Sequence, residues 1–213
     1  MIVGAIRAAV TDSDPQARIL AAAERIFAQR GFHVATMQDV AAAAGMSPGN
    51  LYRYFPSKDA IVAGLCARDQ AELAADFGTL AVSEDILAAV AQLLRKHLVH
   101  EPRECFQLIV EIWAECARNP QIAEIGRSLD AELRRGLKAV VAGAKRQGVA
   151  AADVDEDFAA RAILTIGAGL FKRRALEPDF DGEAEVALAL GLIGAVFSGA
   201  VRPFAGKGGE SER

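Results

Sequence analysis

The residues whose types and spacing fit one particular chemistry lie between Thr36 and Lys58, in TMQDVAAAAGMSPGNLYRYFPSK. On a short helix opened at Ser47, Leu51 and Phe55 stand one helical turn apart and share the buried side. Gly49, Asn50 and Arg53 then point outward, with Tyr52 and Tyr54 on the flanks. That outward face suits nucleic acid. Glycine permits close backbone approach, asparagine and arginine can reach base edges, and the tyrosines offer hydroxyls to phosphates and ring faces to thymine methyls. Lys58 follows just beyond, where a phosphate would lie.

One other cluster carries ligand-type side chains: His97, His100, Glu101, Glu104 and Cys105. His97 and His100 share a helix face, but Pro102 interrupts before Glu104 and Cys105, and neither an ExxH pair nor an HExxH motif is present, so no metal is expected. There is also no glycine-rich phosphate loop, no nucleophile elbow and no framed acid pair. The chain is expected to be no enzyme and to need no cofactor.

The elements that must position the outward face can be read from their caps. Thr36 caps a helix, with Asp39 completing a box-like start, and Val40, Ala41 and Ala44 give it a small apolar face. Gly45 stops that helix, and Ser47 followed by Pro48 starts the next, which spans roughly Pro48 to Phe55. The pair reads as a helix-turn-helix. Beneath it, a helix from Pro15 to Gly31 places Ile19, Ala23, Ile26 and Phe27 on one stripe.

Arg30-Gly31-Phe32, Thr36, Asp39-Val40-Ala41, Ala44-Gly45, Ser47, Gly49, Leu51-Tyr52, Tyr54-Phe55 and Ser57-Lys58 resemble the tetracycline-repressor (TetR) family of transcription regulators. The resemblance covers about Ala17 to Leu65 at motif level; beyond it, only helical pattern and length agree. It implies a regulator of double-stranded DNA, a repressor of a palindromic operator released by a small-molecule effector. The DNA-contacting set would be Thr36, Ser47, Pro48, Gly49, Asn50, Tyr52, Arg53, Tyr54 and Lys58.

The 213 residues are 52% hydrophobic, with a mean hydropathy of +0.19, and much of the apolar part is alanine. Few aromatics and scarcely any alternating β-branched runs point to an all-α protein of about nine helices. The net charge of −4 does not announce a nucleic-acid binder. Residues 1–60, however, hold six basic against five acidic side chains, and the rest carries −5, so the acid lies away from the motif. Three cysteines without CxxC spacing fit reduced thiols, and no run approaches the ~18 apolar residues of a membrane span, so a soluble, cytoplasmic protein is expected.

Four segments follow: an arm over 1–14, the helix-turn-helix unit over 15–60, a larger helical unit over 61–202 and a tail over 203–213. Arg7 in the arm could reach a minor groove, although a disordered arm is the blander reading. The larger unit opens with a helix from Ser57 carrying Ile61, Val62, Leu65 and Cys66, whose pattern lapses between Phe77 and Ser83 with Gly78 as a break. Helices follow with stripes Ile86, Val90, Leu93, His97; Phe106, Ile109, Val110, Trp113, Ala117; and, from about Ile122 to Gln147, Leu129, Leu133, Leu137, Val140, Ala144. The resemblance places the effector cavity here, with His97, Phe106, Trp113 and Cys116 as candidate lining residues, although a buried aromatic or histidine on a helix stripe is more often core.

The last two helices, about 157–176 and 182–198, are apolar around too much of their circumference for one subunit to cover. Phe158, Ile163, Ile166, Leu170, Leu188, Leu192 and Val196 are the expected homodimer contacts, and Gly167, Gly169, Gly191 and Gly194 would allow close approach. In the TetR family these two helices pair with their symmetry mates in a four-helix bundle. Lys172-Arg173-Arg174 reads as a solvated helix end. The competing reading is a helical adaptor whose apolar terminal helices bind another protein; such an adaptor would not need the Gly49 to Lys58 face.

Overall fold

A computed structural model describes residues 14–203, so the arm up to residue 13, with Arg7, and most of the tail lie outside the described residues. Those described form helices α1 (Pro15–Arg30), α2 (Met37–Ala43), α3 (Pro48–Tyr54), α4 (Lys58–Val82), α5 (Ile86–Arg95), α6 (Arg103–Cys116), α7 (Pro120–Arg146), α8 (Glu156–Leu176) and α9 (Gly182–Phe197), with no strand among them. Most helices begin at a side-chain cap. Asp14, Ser47, Ser57, Asp85, Asn119, Asp155 and Asp181 each accept a hydrogen bond from a backbone N–H in the first turn, satisfying a donor the helix itself cannot.

Two differences from the expected elements have physical causes. Gly78 does not break α4, which continues to Val82 because Leu73, Phe77 and Leu80 are buried against α7. That packing outweighs the cost of about 1 kcal/mol that an interior glycine imposes on a helix. And α5 does not carry His97: it passes at Lys96 into a π-helical turn, Lys96–His100, whose wider winding turns His97 and Leu98 inward.

Two apolar cores hold the chain together. The first starts under the three N-terminal helices with Ile19, Phe27, Val40 and Leu51 and runs without interruption into Leu65 of α4, Phe106 and Ile109 of α6 and Phe171 of α8. The second joins Leu73 and Phe77 of α4 to Val90 of α5, Leu133 and Val140 of α7 and Ile193 and Phe197 of α9. Helix α4 serves both cores. Its Gly64 lets α1 and α3 come close, since a Cβ there would stand 2.9 Å from both Leu20 and Phe55.

Candidate nucleic-acid interface and internal cavity

Helix α3 is held by its inner side only. Leu51 is wholly buried, Phe55 nearly so, while Tyr52 is 49% and Tyr54 37% exposed. Pro48, Gly49 and Arg53 are exposed and Asn50 half-buried. A Cβ at Gly49 would meet nothing within 4 Å, so the fold itself does not require glycine there. Arg53 makes no hydrogen bond or ion pair with the described residues.

The start of each helix in the motif is fixed locally. The Ser47 hydroxyl accepts from the Asn50 N–H at 3.3 Å. Thr36 and Asp39 form a complete capping box: the Asp39 N–H donates to Thr36 Oγ1 at 3.1 Å and the Thr36 N–H to Asp39 Oδ2 at 2.9 Å. Those bonds from Thr36, together with Arg30, hold the Asp39 carboxyl below its ordinary range. Gly45 adopts a φ of +66°, the left-handed turn that lets α2 end and α3 start. Thr36 thus reaches the surface with its hydroxyl engaged by its own helix.

Lys58 departs from the expected phosphate contact. Its ammonium donates to the carbonyls of Phe32 (2.7 Å), Ala35 (2.9 Å) and His33 (3.3 Å) and lies 4.7 Å from the centroid of the Phe32 ring. All three of its donors are committed to the segment between α1 and α2, which Lys58 ties to the start of α4.

Between the cores, α4 to α9 and the π-helical turn enclose a cavity of about 1170 Å³, open to solvent on one side. Three of the four expected lining residues border it: His97, Trp113 and Cys116. Phe106 does not. It is fully buried, packed edge-on against Phe171 at 5.0 Å with the Arg174 guanidinium 5.9 Å from its ring, because α6 turns it toward α8. Sequence reasoning missed Phe77, Phe171 and Phe197, and the exposed Arg127, Asp130, Arg134 and Arg161, which border the opening. The signal for the latter was the polar side of α7, where arginine recurs at Arg127 and Arg134.

Helix α6 has two working sides. Ile109, Ile112, Trp113 and Cys116 face the cavity. On another side, the Glu111 carboxylate accepts from the Phe32 N–H, and Glu115 lies 3.3 Å from His33. Just beyond, the Asn119 amide donates to Asp59 at 3.0 Å. Burial raises the thiols of Cys66 to about 11 and Cys105 to about 12, so neither is nucleophilic. No group of three metal-ligating side chains occurs among the described residues.

On α8 and α9 the expected contact set divides. Leu188 and Leu192 are 48% and 42% exposed. Leu170 and Val196 are buried inside the subunit and so are core residues, because their turns face α6 and the second core respectively. Phe158, Ile163 and Ile166 are half-buried, the last two packed against the cores. A Cβ at Gly167, Gly169, Gly191 or Gly194 would meet nothing within 4 Å, so no contact within the subunit calls for those glycines.

Comparison with known proteins agrees with this architecture. Residues 19–65 match the model of bacterial regulatory proteins of the tetR family, and residues 82–198 that of the BetI-type transcriptional repressor C-terminal domain. The chain is 29% identical to the HTH-type transcriptional regulator UidR of Escherichia coli over 190 residues, covering 88% of this chain and 96% of UidR. It is 28% identical to the regulator TtgR of Pseudomonas putida over 187 residues, covering 78% and 82% of the two chains. The structure of Salmonella enterica GusR superposes with a TM-score of 0.73 at 28% identity, over 88% of this chain and 98% of that one. With an exposed helix-turn-helix at one end and a hollow helical body at the other, the chain belongs to the TetR family of helix-turn-helix transcriptional regulators and is not an enzyme.

Proposed function

We propose that this regulator acts as a homodimeric repressor in the cytoplasm. Each subunit inserts Pro48 to Tyr54 into one of two successive major grooves of a palindromic operator, and a small molecule in the cavity releases it. Support for the contacts comes from α3, where Gly49 opens the backbone to close approach and Asn50, Tyr52, Arg53 and Tyr54 are available to bases and phosphates. Thr36, Ser47 and Pro48 position that helix and can meet the backbone of the duplex.

The observation that carries ligand control is the double duty of α4 and α6. Both line the cavity, and both hold the reading head: α4 through Lys58 and Gly64, α6 through Glu111 and Glu115. A ligand that favours a different setting of these helices moves the two heads off half-sites spaced ~34–36 Å apart or a multiple of that. No helix among the described residues is long and apolar enough to cross a membrane.

The test is a mobility shift on the DNA flanking the gene, at two salt concentrations, with Gly49→Glu beside the native protein. Specific binding that salt weakens steeply and the variant loses supports the reading. An intact dimer that binds no sequence selected from random DNA overturns it. A disulfide pinning α1 to α4 should then keep DNA affinity and abolish release.

A further inference from the structure

The cavity is apolar almost throughout, and its polar groups divide by depth. Arg127, Arg134 and Arg161, with side chains 66%, 51% and 62% exposed, stand at the opening, as does the exposed Asp130. His97 is different: it lines the same cavity at only 7% exposure, and neither ring nitrogen has a hydrogen-bond partner among the described residues. Two buried, unpaired polar atoms are costly for a fold to keep. The chain also departs from regular helix there, since the π-helical turn Lys96–His100 is what brings His97 inward while Lys96 pairs outside with Asp76 at 2.8 Å. Extra residues of this kind recur at functional sites.

We infer that His97 is the polar anchor of the effector cavity and that the effector is an uncharged, largely apolar, ring-bearing molecule with a hydroxyl group bonded to the imidazole. This rests on the proposed reading of the cavity as the effector site. The chemistry follows from the imidazole. Burial beside Phe171, with Lys96 adding to it, pushes its pKa down to about 4, so the ring is neutral and offers one N–H donor and one bare nitrogen. A hydroxyl can donate to the one or accept from the other. An ether can serve only the N–H, a hydrocarbon neither nitrogen, and a carboxylate buried there would lack a counter-charge. Phe77, Phe171 and Trp113 supply the flat apolar contacts that a ring would occupy.

Trp113 is the only tryptophan of the chain and borders the cavity, so its emission reports occupancy directly. The test compares three probes of similar shape, 4-butylphenol, 4-butyltoluene and 4-butylbenzoate, by titration against the full-length protein. The ratio of phenol to toluene affinity should be about tenfold higher in the native protein than in His97→Phe, the effect of one net hydrogen bond, and the benzoate should bind more weakly than either. His97→Gln, which keeps a donor and an acceptor, should retain the native preference that His97→Phe loses. A melting curve on each variant separates loss of recognition from loss of fold. The inference is overturned if none of the probes binds, if the preference for phenol over toluene is the same in His97→Phe as in the native protein, or if the benzoate binds most tightly, which would move recognition to the arginines at the mouth. Phenol bound with its preference intact but operator DNA still held would leave the inference standing and refute release by ligand instead.

Discussion

Lys58 Nζ lies 2.7 Å from the carbonyl oxygen of Phe32, and with Ala35 and His33 it closes the segment between α1 and α2 onto the first residue of α4. The lysine expected to meet DNA is thus a strut inside the reading head. Replacing it leaves part-buried carbonyls without a donor, each formerly bonded to a charged group. Lys58→Ala should therefore lower unfolding stability by roughly 2 to 3 kcal/mol. Denaturant unfolding checks this. Unchanged stability with a DNA-binding salt slope reduced by about one would return Lys58 to the phosphate backbone.

A second buried charge cluster makes the junction of α1 and α4 sensitive to pH. Arg68 Nη2 bonds both Glu24 (2.9 Å) and Asp69 (3.1 Å), with Glu101 and the neutral Cys105 thiol close enough to be felt. Burial outweighs the arginine and raises Glu24 to about 7 and Asp69 to about 6. The folded state therefore prefers the protonated carboxyls. Their contribution is fully present below the ordinary carboxylate pKa and is lost as pH rises through those raised values. Stability should fall on the order of 2 kcal/mol between about pH 5 and about pH 8. Glu24→Gln should flatten the profile; melting curves across that range decide, and a profile that rises with pH in the native protein contradicts the assignment.

Two glycines in helices should respond oppositely to a methyl group. At Gly143 a Cβ would stand 2.6 Å from the carbonyl oxygen of Ala81, a backbone atom that cannot swing aside. Gly143→Ala should force α4 and α7 apart and cost roughly 1 to 3 kcal/mol, outweighing the helix propensity gained. At Gly49 the space is open, so Gly49→Ala should leave stability equal or raise it by up to about 1 kcal/mol. Calorimetry on the pair is the check. A stable Gly49→Ala protein with weakened operator binding would place the need for glycine on the DNA side.

The DNA-binding motif was legible because its signals are local. Thr36 and Asp39, Gly45, and Ser47 before Pro48 fix helix ends within a few residues of chain, and the structure forms each of those caps and turns. What the sequence withheld depends on partners far along the chain. Lys58 finds its carbonyls more than twenty residues back, and Phe106 leaves the cavity because Phe171 receives it. Gly78 looked like a break because nothing nearby in sequence announces that α7 packs along α4. The apolar ring of α8 and α9 likewise could not be divided by periodicity alone: Val196 continues the stripe of Leu188 and Leu192, and Leu170 is one of several apolar residues on α8, yet burial in the fold separates Leu170 and Val196 from the two exposed leucines.

That separation predicts which residues hold two subunits together. The exposed face of α8 and α9 combines Leu188 and Leu192 with Ala168, Gly169, Ala187 and Gly191, small residues across which a second pair of helices can pack closely. Leu188→Arg with Leu192→Arg places two cations where a symmetric contact would bring four together without counter-charge, so the double variant should be monomeric and folded. Leu170→Ala should instead open a hole in the first core and cost roughly 2 to 5 kcal/mol in unfolding while the surviving folded protein remains dimeric. Sedimentation together with denaturant unfolding distinguishes the two. A double variant that still sediments as a dimer would require the subunits to meet elsewhere, and a monomeric double variant that kept full operator affinity would remove two-fold symmetry from the mode of DNA recognition.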